Sequence, residues 1–285
     1  MVAAMRILRE RPVDRRRRVP VSLVAALALV VSNAAAQKAK PETIHLPHPS
    51  GKYGVARIAY DWVDATRADT FSRVSGAHRE MMVYVWYPTR RNLSGGSVAD
   101  YVPNADKIAA KLANGELQDG WGSSWRKIFA KKVVTDTHEQ GPVLTGGERF
   151  PLLIFSPSQG VPVSSYTTLL QEVVSRGYVV ASIEPTYESP AVGFPDGRVI
   201  RSVPEASENR KILPGESRKD FLQRQHAQEA PHLEQLAADV HFVIDQLNVE
   251  AKRKVAPFVG ETDFANLGAW GHSIGGRAAV RACQL

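Results

Sequence analysis

The hydrophobic and polar positions along the chain follow a pattern typical of an α/β protein. Two continuous apolar runs, residues 150–155 and 178–183, predict parallel strands that are buried on both faces. Between them, residues 166–176 have apolar side chains at helical spacing, and Gly177 follows at a position where helices commonly end. A strand, a helix and a second strand in this order form a βαβ unit. We therefore expect a parallel sheet.

Other segments have the periodicity of regular structure without forming such a unit. They are a strand at 81–87, a helix at 106–114, an amphipathic helix that starts just after Pro231 and continues to 247, and a short strand at 266–270. Residues 203–230 are charged and we expect them to be irregular. The single cysteine, Cys283, excludes a disulfide within the chain, and we expect it to be a small buried side chain.

The N-terminal 36 residues have the organisation of a secretory signal peptide. Four arginines at 15–18 precede an apolar stretch at 19–31, and the small residues that follow end at Ala36, where we expect cleavage. Most of the net charge of +7 lies here, because residues 1–36 contain seven arginines and only two acidic residues. The rest of the chain is nearly neutral, so we expect no nucleic-acid partner and a secreted or periplasmic location.

Residues 271–275 read G-H-S-I-G and match the nucleophile-elbow motif G-x-S-x-G. The motif lies between a predicted strand and a helix-forming segment, which is its required context because the serine must sit on a sharp turn above the sheet edge. Gly271 and Gly275 let the strand and the helix approach each other closely. We predict that Ser273 is a nucleophile. The alternative is a glycine-rich turn in which the serine is incidental.

A nucleophilic serine also needs an oxyanion hole, which in this arrangement combines the N–H that follows the serine with one from an earlier loop. The loop at 156–160 leaves the buried strand 150–155 at the expected place. Pro157 has no N–H and is excluded as a donor. We therefore predict the backbone N–H groups of Gln159 and Ile274 as the donors. The alternative is an ordinary loop between a strand and a helix.

In these motifs and their order the chain resembles the secreted platelet-activating factor acetylhydrolases and their bacterial relatives. The resemblance rests on residues 85–88, 155–160, 177–181, 194–198, 242–247 and 271–276. It implies an α/β-hydrolase fold with a mostly parallel central sheet and flanking helices, and a serine esterase that needs no metal or other cofactor. It also implies a small-molecule or lipid ester substrate with a short acyl group, acetylated phospholipids included, and transient contact with a membrane or lipid surface. The family commonly has His-Gly where this chain has Pro157 and Ser158.

The remaining members of a catalytic triad follow the serine in this fold, in the order Asp or Glu and then His. Residues 274–285 contain none of these residue types. We therefore expect the triad acid and base to lie beyond Leu285, with the C-terminal part of the fold missing and the chain as given inactive. We further expect a leader and first edge structure at 37–80 and the N-terminal portion of a hydrolase domain at 81–285.

Two hypotheses about function remain open from the sequence. The first is a serine ester hydrolase, with acetylated phospholipid or a general short-chain or polyester substrate. The second is a non-catalytic secreted binding protein built on a partial hydrolase scaffold. We expect His272, which adjoins the serine on a tight turn, to have a structural role. The sequence does not indicate an oligomeric state.

Overall fold

The structure, a computed structural model, describes residues 42–93, 95–117, 120–129, 131–147, 149–202, 212–254 and 256–285. The predicted signal peptide at residues 1–36, with its cleavage site after Ala36, lies outside these ranges. Within them, no helix is both long enough and apolar enough to cross a bilayer.

The described residues include ten strands, which form one large sheet and two small ones. The strands are β1 (Glu42–His45), β2 (Gly54–Ala68), β3 (His78–Thr89), β4 (Lys131–Val134), β5 (Thr137–Glu139), β6 (Phe150–Ser156), β7 (Val179–Glu184), β8 (Ala191–Gly193), β9 (Val199–Arg201) and β10 (Thr262–Gly271). The large sheet has the order β10-β6-β7-β3-β2-β5, and three of its five neighbouring pairs are parallel. The small sheets pair β1 with β4 and β8 with β9.

Five α-helices accompany these strands in the part of the chain that the structure describes. They are α1 (Ala105–Ala113), α2 (Gly120–Phe129), α3 (Thr167–Ser175), α4 (Arg218–Arg253) and α5 (Ile274–Ala282). Side chains of α3 pack against one face of the large sheet, and side chains of α4 and α5 pack against the other. The result is the three-layer α/β arrangement that the βαβ pattern predicts.

The strand β3 shows why the sheet is buried on both faces. Its side chains alternate, as they must in a strand. Met81, Val83 and Val85 join the core that contains α4, whereas Met82 and Tyr84 join the core that contains α3. All five are buried. The continuous apolar run at this position therefore reflects two cores rather than one.

Several elements differ from the sequence-based expectations. Helix α4 begins at Arg218 and not after Pro231, so much of the segment predicted to be irregular is helical. The Ser217 hydroxyl accepts the Asp220 N–H and caps the start of this helix. Helix α2 and the 15-residue strand β2 were not predicted. Cys283 is exposed, contrary to expectation, because it lies beyond the last residue of α5.

One edge of the large sheet is formed by β10. Its only neighbour among the described strands is β6, so its other side carries no strand within the described ranges. The side chain of Leu267 on this strand is 43% exposed. Within the described ranges, this side of the sheet is therefore an open edge with a partly exposed apolar side chain.

A buried ion-pair cluster joins the sheet to α4. Arg79 on β3 is fully buried, and its Nη2 lies 2.7 Å from a carboxylate oxygen of Asp239 on α4. Its Nη1 contacts Asp69, at 3.2 Å, and the carbonyl oxygen of Thr186, at 3.0 Å. Arg67 supplies a second positive charge to Asp239, at 2.9 Å. The cluster fixes the position of α4 on the sheet.

Removal of the Asp239 carboxylate should therefore destabilise the protein strongly. We expect Asp239→Ala to lower the free energy of unfolding by about 3–5 kcal/mol, because it leaves Arg79 buried without its main partner. Glu234→Ala is the matched control, because Glu234 also lies on α4 but pairs with Arg281 of α5 at the surface. Its free energy of unfolding should fall by less than about 1 kcal/mol. Urea unfolding measures both. Equal losses would show that the buried pair has no special role.

Candidate active site

The predicted nucleophile lies on the turn between β10 and α5. Ser273 has φ 54° and ψ −120°, a left-handed backbone conformation that is unusual for a residue with a side chain. The turn is held by hydrogen bonds from the Gly275 N–H to the His272 carbonyl, at 3.0 Å, and from the Arg277 N–H to the Ser273 carbonyl, at 3.1 Å. The Ser273 side chain is exposed at the end of the sheet. This is the backbone geometry of a nucleophile elbow.

The two motif glycines provide the space for this turn. A Cβ atom on Gly271 or on Gly275 would overlap the carbonyl oxygen of Ser156, and on Gly275 it would also overlap that of Pro157. Neither glycine has a positive φ. Glycine is therefore needed at both positions because the end of β6 comes into backbone contact with the elbow.

The pairing of β6 with β10 brings the predicted oxyanion loop to the elbow. Gly271 lies opposite Ser156 in the parallel register, and the His272 N–H donates to the Ser156 carbonyl at 3.1 Å. Within the loop, the Ser158 N–H donates to the hydroxyl of Tyr166 at 3.1 Å. The next N–H along the loop belongs to Gln159.

A cleft of about 430 Å³ opens over Ser273. Ser158, Gln159 and Ile274 lie on one side of it, and Arg277 follows on α5. The opposite wall comes from the first turns of α4, including Phe221, Leu222 and His226. The structure thus brings together Ser273 and both predicted oxyanion donors. The α4 wall was missed because the charged sequence before Pro231 gave no clear helical periodicity, and Ser217 with Asp220 was its only signal.

Two histidines near the cleft have contacts with residues other than Ser273. His272 forms a 2.9 Å hydrogen bond with the Tyr166 hydroxyl, and His232 lies 3.5 Å from the amide nitrogen of the Gln159 side chain. Burial lowers the pKa of His232. Among the described residues, none hydrogen-bonds to the Ser273 hydroxyl. The expectation that His272 is structural agrees with its bond to Tyr166.

A sequence profile decides the family. The profile described as platelet-activating factor acetylhydrolase, isoform II, matches residues 42–284, which is most of the chain. The chain belongs to this family. The predicted resemblance is therefore confirmed.

Two relatives extend the comparison. A probable 1-alkyl-2-acetylglycerophosphocholine esterase of Arthroderma benhamiae is 26% identical over 260 residues, which are 89% of this chain and 59% of the relative. The ferulic acid esterase of Streptomyces cinnamoneus is similar in structure, with a TM-score of 0.59 and 26% identity over 86% of this chain and 59% of that one. The predicted α/β-hydrolase fold is confirmed. The chain spans about three fifths of the length of these relatives.

Two acidic side chains at and just after the end of β7, Glu184 and Glu188, are buried. Glu184, at the end of β7, accepts the Val163 N–H at 2.9 Å and a hydrogen bond from the Ser189 hydroxyl. Burial raises its pKa to about 7. Glu188 is also buried, and neither of its carboxylate oxygens has a hydrogen-bond partner among the described residues. Burial raises the pKa of Glu188 from 4.5 to about 8, although the nearby Arg79 opposes the shift.

The stability of the fold should fall as the pH rises through the range set by these carboxyl groups. Between about pH 4.5 and 8 the folded protein holds a proton on Glu188 that the unfolded chain releases, so each rise in pH favours unfolding. We expect urea unfolding midpoints to fall from pH 5 to pH 9, and Glu188→Gln to reduce that fall.

The control for this pH dependence is Glu172→Gln. Hydrogen bonds from Ser50 and Arg176 lower the pKa of Glu172 to about 2. Its contribution to the stability of the fold is therefore lost only as the pH falls. This variant should leave the decline between pH 5 and 9 intact. A Glu188→Gln protein with the same decline as the parent would contradict the assignment.

Replacement of Gly275 should disrupt the elbow directly. The added methyl group of Gly275→Ala overlaps two backbone carbonyl groups that cannot move without displacing the oxyanion loop. We expect a stability loss of about 1–3 kcal/mol, as for other overpacked sites. Gly260→Ala is the control, because its Cβ would meet no atom within 4 Å. Thermal melting compares the two, and an unchanged melting temperature for Gly275→Ala would argue against the tight contact.

Proposed function

We propose that the protein hydrolyses carboxylic esters with Ser273 as the nucleophile. The observation that carries the proposal is the backbone of Ser273, held at a positive φ between a strand and a helix with its hydroxyl exposed in a cleft. Such a conformation persists only when its surroundings enforce it, and it clusters at reactive residues. The names of the two relatives, both esterases, support the same reaction class.

The proposed reaction has two halves. The Ser273 oxygen attacks the ester carbonyl carbon while a general base accepts the hydroxyl proton, and the carbonyl oxygen becomes an oxyanion. The N–H groups of Ile274 and Gln159 donate to that oxyanion. The C–O bond to the alcohol then breaks, and the alcohol leaves with the proton. Water hydrolyses the acyl-enzyme by the same steps and regenerates Ser273.

The general base is assigned to a histidine that follows the nucleophile in the order of the fold. Residues 274–285 contain no histidine, so the proposal names only the nucleophile and the two oxyanion donors among the residues of this sequence. A serine that lacks its base retains only the contribution of the oxyanion hole and of binding, roughly 10³–10⁴-fold over water.

The substrate is proposed to be an ester of a short acyl group. The acetyl ester in the name of the fungal relative supports this choice. The cleft supports it as well, because its volume of about 430 Å³ must hold both the acyl and the alcohol groups around Ser273. On the α4 wall of the cleft, Leu222 is 44% exposed, so the described residues leave this wall open to solvent.

The proposal is tested on the full-length protein with a fluorophosphonate probe and p-nitrophenyl esters. Ser273→Ala should abolish both labelling and turnover, because the attacking oxygen is lost. Ser97→Ala is the control, because it removes an exposed hydroxyl that is distant from Ser273 in the sequence. This variant should react like the parent. The parent should hydrolyse p-nitrophenyl acetate faster than p-nitrophenyl palmitate. Labelling that survives in Ser273→Ala, or a parent that neither labels nor turns over, would overturn the proposal; the latter result would favour the binding-protein hypothesis.

A further inference from the structure

The hydroxyl of Tyr166 lies between the two segments that supply the proposed oxyanion donors. It accepts the Ser158 N–H at 3.1 Å, and it forms a 2.9 Å hydrogen bond with Nδ1 of His272. Ser158 directly precedes Gln159, and His272 lies two residues before Ile274. One oxygen atom is therefore bonded to both segments, each within two residues of a donor.

Two hydrogen bonds meet at the Tyr166 hydroxyl. The Ser158 N–H can only donate, so the Tyr166 oxygen accepts there. The 2.9 Å bond to Nδ1 of His272 runs in the direction that the imidazole tautomer sets, because the hydroxyl can both donate and accept. Burial raises the pKa of Tyr166, so the hydroxyl keeps its proton. The hydroxyl thus serves both partners at once.

The ring of Tyr166 is fixed by packing. It lies edge-on to Phe155, with ring centroids 4.9 Å apart, and Phe155 in turn lies 4.7 Å from Trp270. Phe155 and Trp270 are opposite each other in the β6–β10 register, one residue before Ser156 and Gly271 respectively. The hydroxyl therefore projects from a rigid aromatic group beneath the elbow, and it can transmit that rigidity to the loop.

We propose that Tyr166 is a positioning residue that couples the two halves of the oxyanion hole. This inference rests on the proposed function. The Tyr166 hydroxyl does not touch the substrate. It holds the Gln159 segment at a fixed distance from the Ile274 segment, so that both N–H groups point to one oxyanion. His272 completes the link from the elbow side.

Other contacts attach the loop at different points along its length. The backbone bond from the His272 N–H to Ser156 joins the two segments before the loop turns away, and Glu184 holds the loop only at Val163, beyond Gln159. Between these two attachments, the bond to Tyr166 is made by the backbone N–H of Ser158, directly before Gln159, whereas the contact with His232 involves the Gln159 side chain. Its loss should let the Gln159 N–H move relative to Ile274.

The test is Tyr166→Phe in the full-length protein, which removes the hydroxyl and keeps the ring. An oxyanion hole stabilises the transition state more than the bound ester, so we expect kcat for p-nitrophenyl acetate to fall while KM stays within a factor of two or so. A small displacement of a catalytic group lowers rates by about 10- to 100-fold, and we expect a loss in that range. The rate of fluorophosphonate labelling should fall in parallel. Tyr178→Phe, which removes a hydroxyl from a half-exposed tyrosine, is the control.

A second variant separates positioning from a general loss of structure. His272→Ala removes only the elbow side of the link, at an exposed side chain, and should lower kcat without a lower melting temperature. The double variant should lose no more than Tyr166→Phe alone, because both changes break one connection. Multiplicative losses, or a Tyr166→Phe protein that melts earlier but keeps the kcat and labelling rate of the parent, would overturn the inference. A parent that is inactive and unlabelled would overturn the proposed function itself.

Discussion

The backbone contact between the end of β6 and the turn after β10 is the constraint on which the candidate site depends. Parallel pairing places Ser156 beside Gly271, and the Ser156 carbonyl then accepts the His272 N–H. The contact is so close that a side chain at Gly271 or Gly275 would collide with it. This contact also restricts the backbone conformation of Ser273, which accounts for a positive φ at a residue with a side chain.

The remaining architecture holds this contact in place from both faces of the sheet. On one face, Phe155 and the ring of Tyr166 pack beneath the loop. On the other, α4 is attached to β3 through Arg79 and Asp239, and its first turns reach over Ser273 to form the outer wall of the cleft. Burial of these charges and of Glu188 costs stability that a purely apolar core would keep. Among them, Arg79 and Asp239 join α4 to the sheet.

The sequence indicated the site better than it indicated the structure around it. The apolar runs of β6 and β7 and the motif at 271–275 depend on local patterns, and these were predicted almost to the residue. The first half of α4 could not be predicted, because its side chains face a cleft and solvent rather than a core. In addition, Pro231 resembles a helix boundary. The link through Tyr166 joins residues 106 positions apart, and no local pattern encodes such a contact.

The most direct test of Ser273 as the nucleophile, and of the proposed oxyanion hole, is a crystal structure of the full-length protein after reaction with a phosphonate ester. Such an adduct mimics the tetrahedral intermediate, so its phosphoryl oxygen marks the place of the oxyanion. We predict that the phosphorus is bonded to the Ser273 oxygen. We also predict that a phosphoryl oxygen lies within hydrogen-bond distance of the N–H groups of both Gln159 and Ile274. A phosphoryl oxygen that points away from the loop, or an adduct on a different residue, would contradict these predictions.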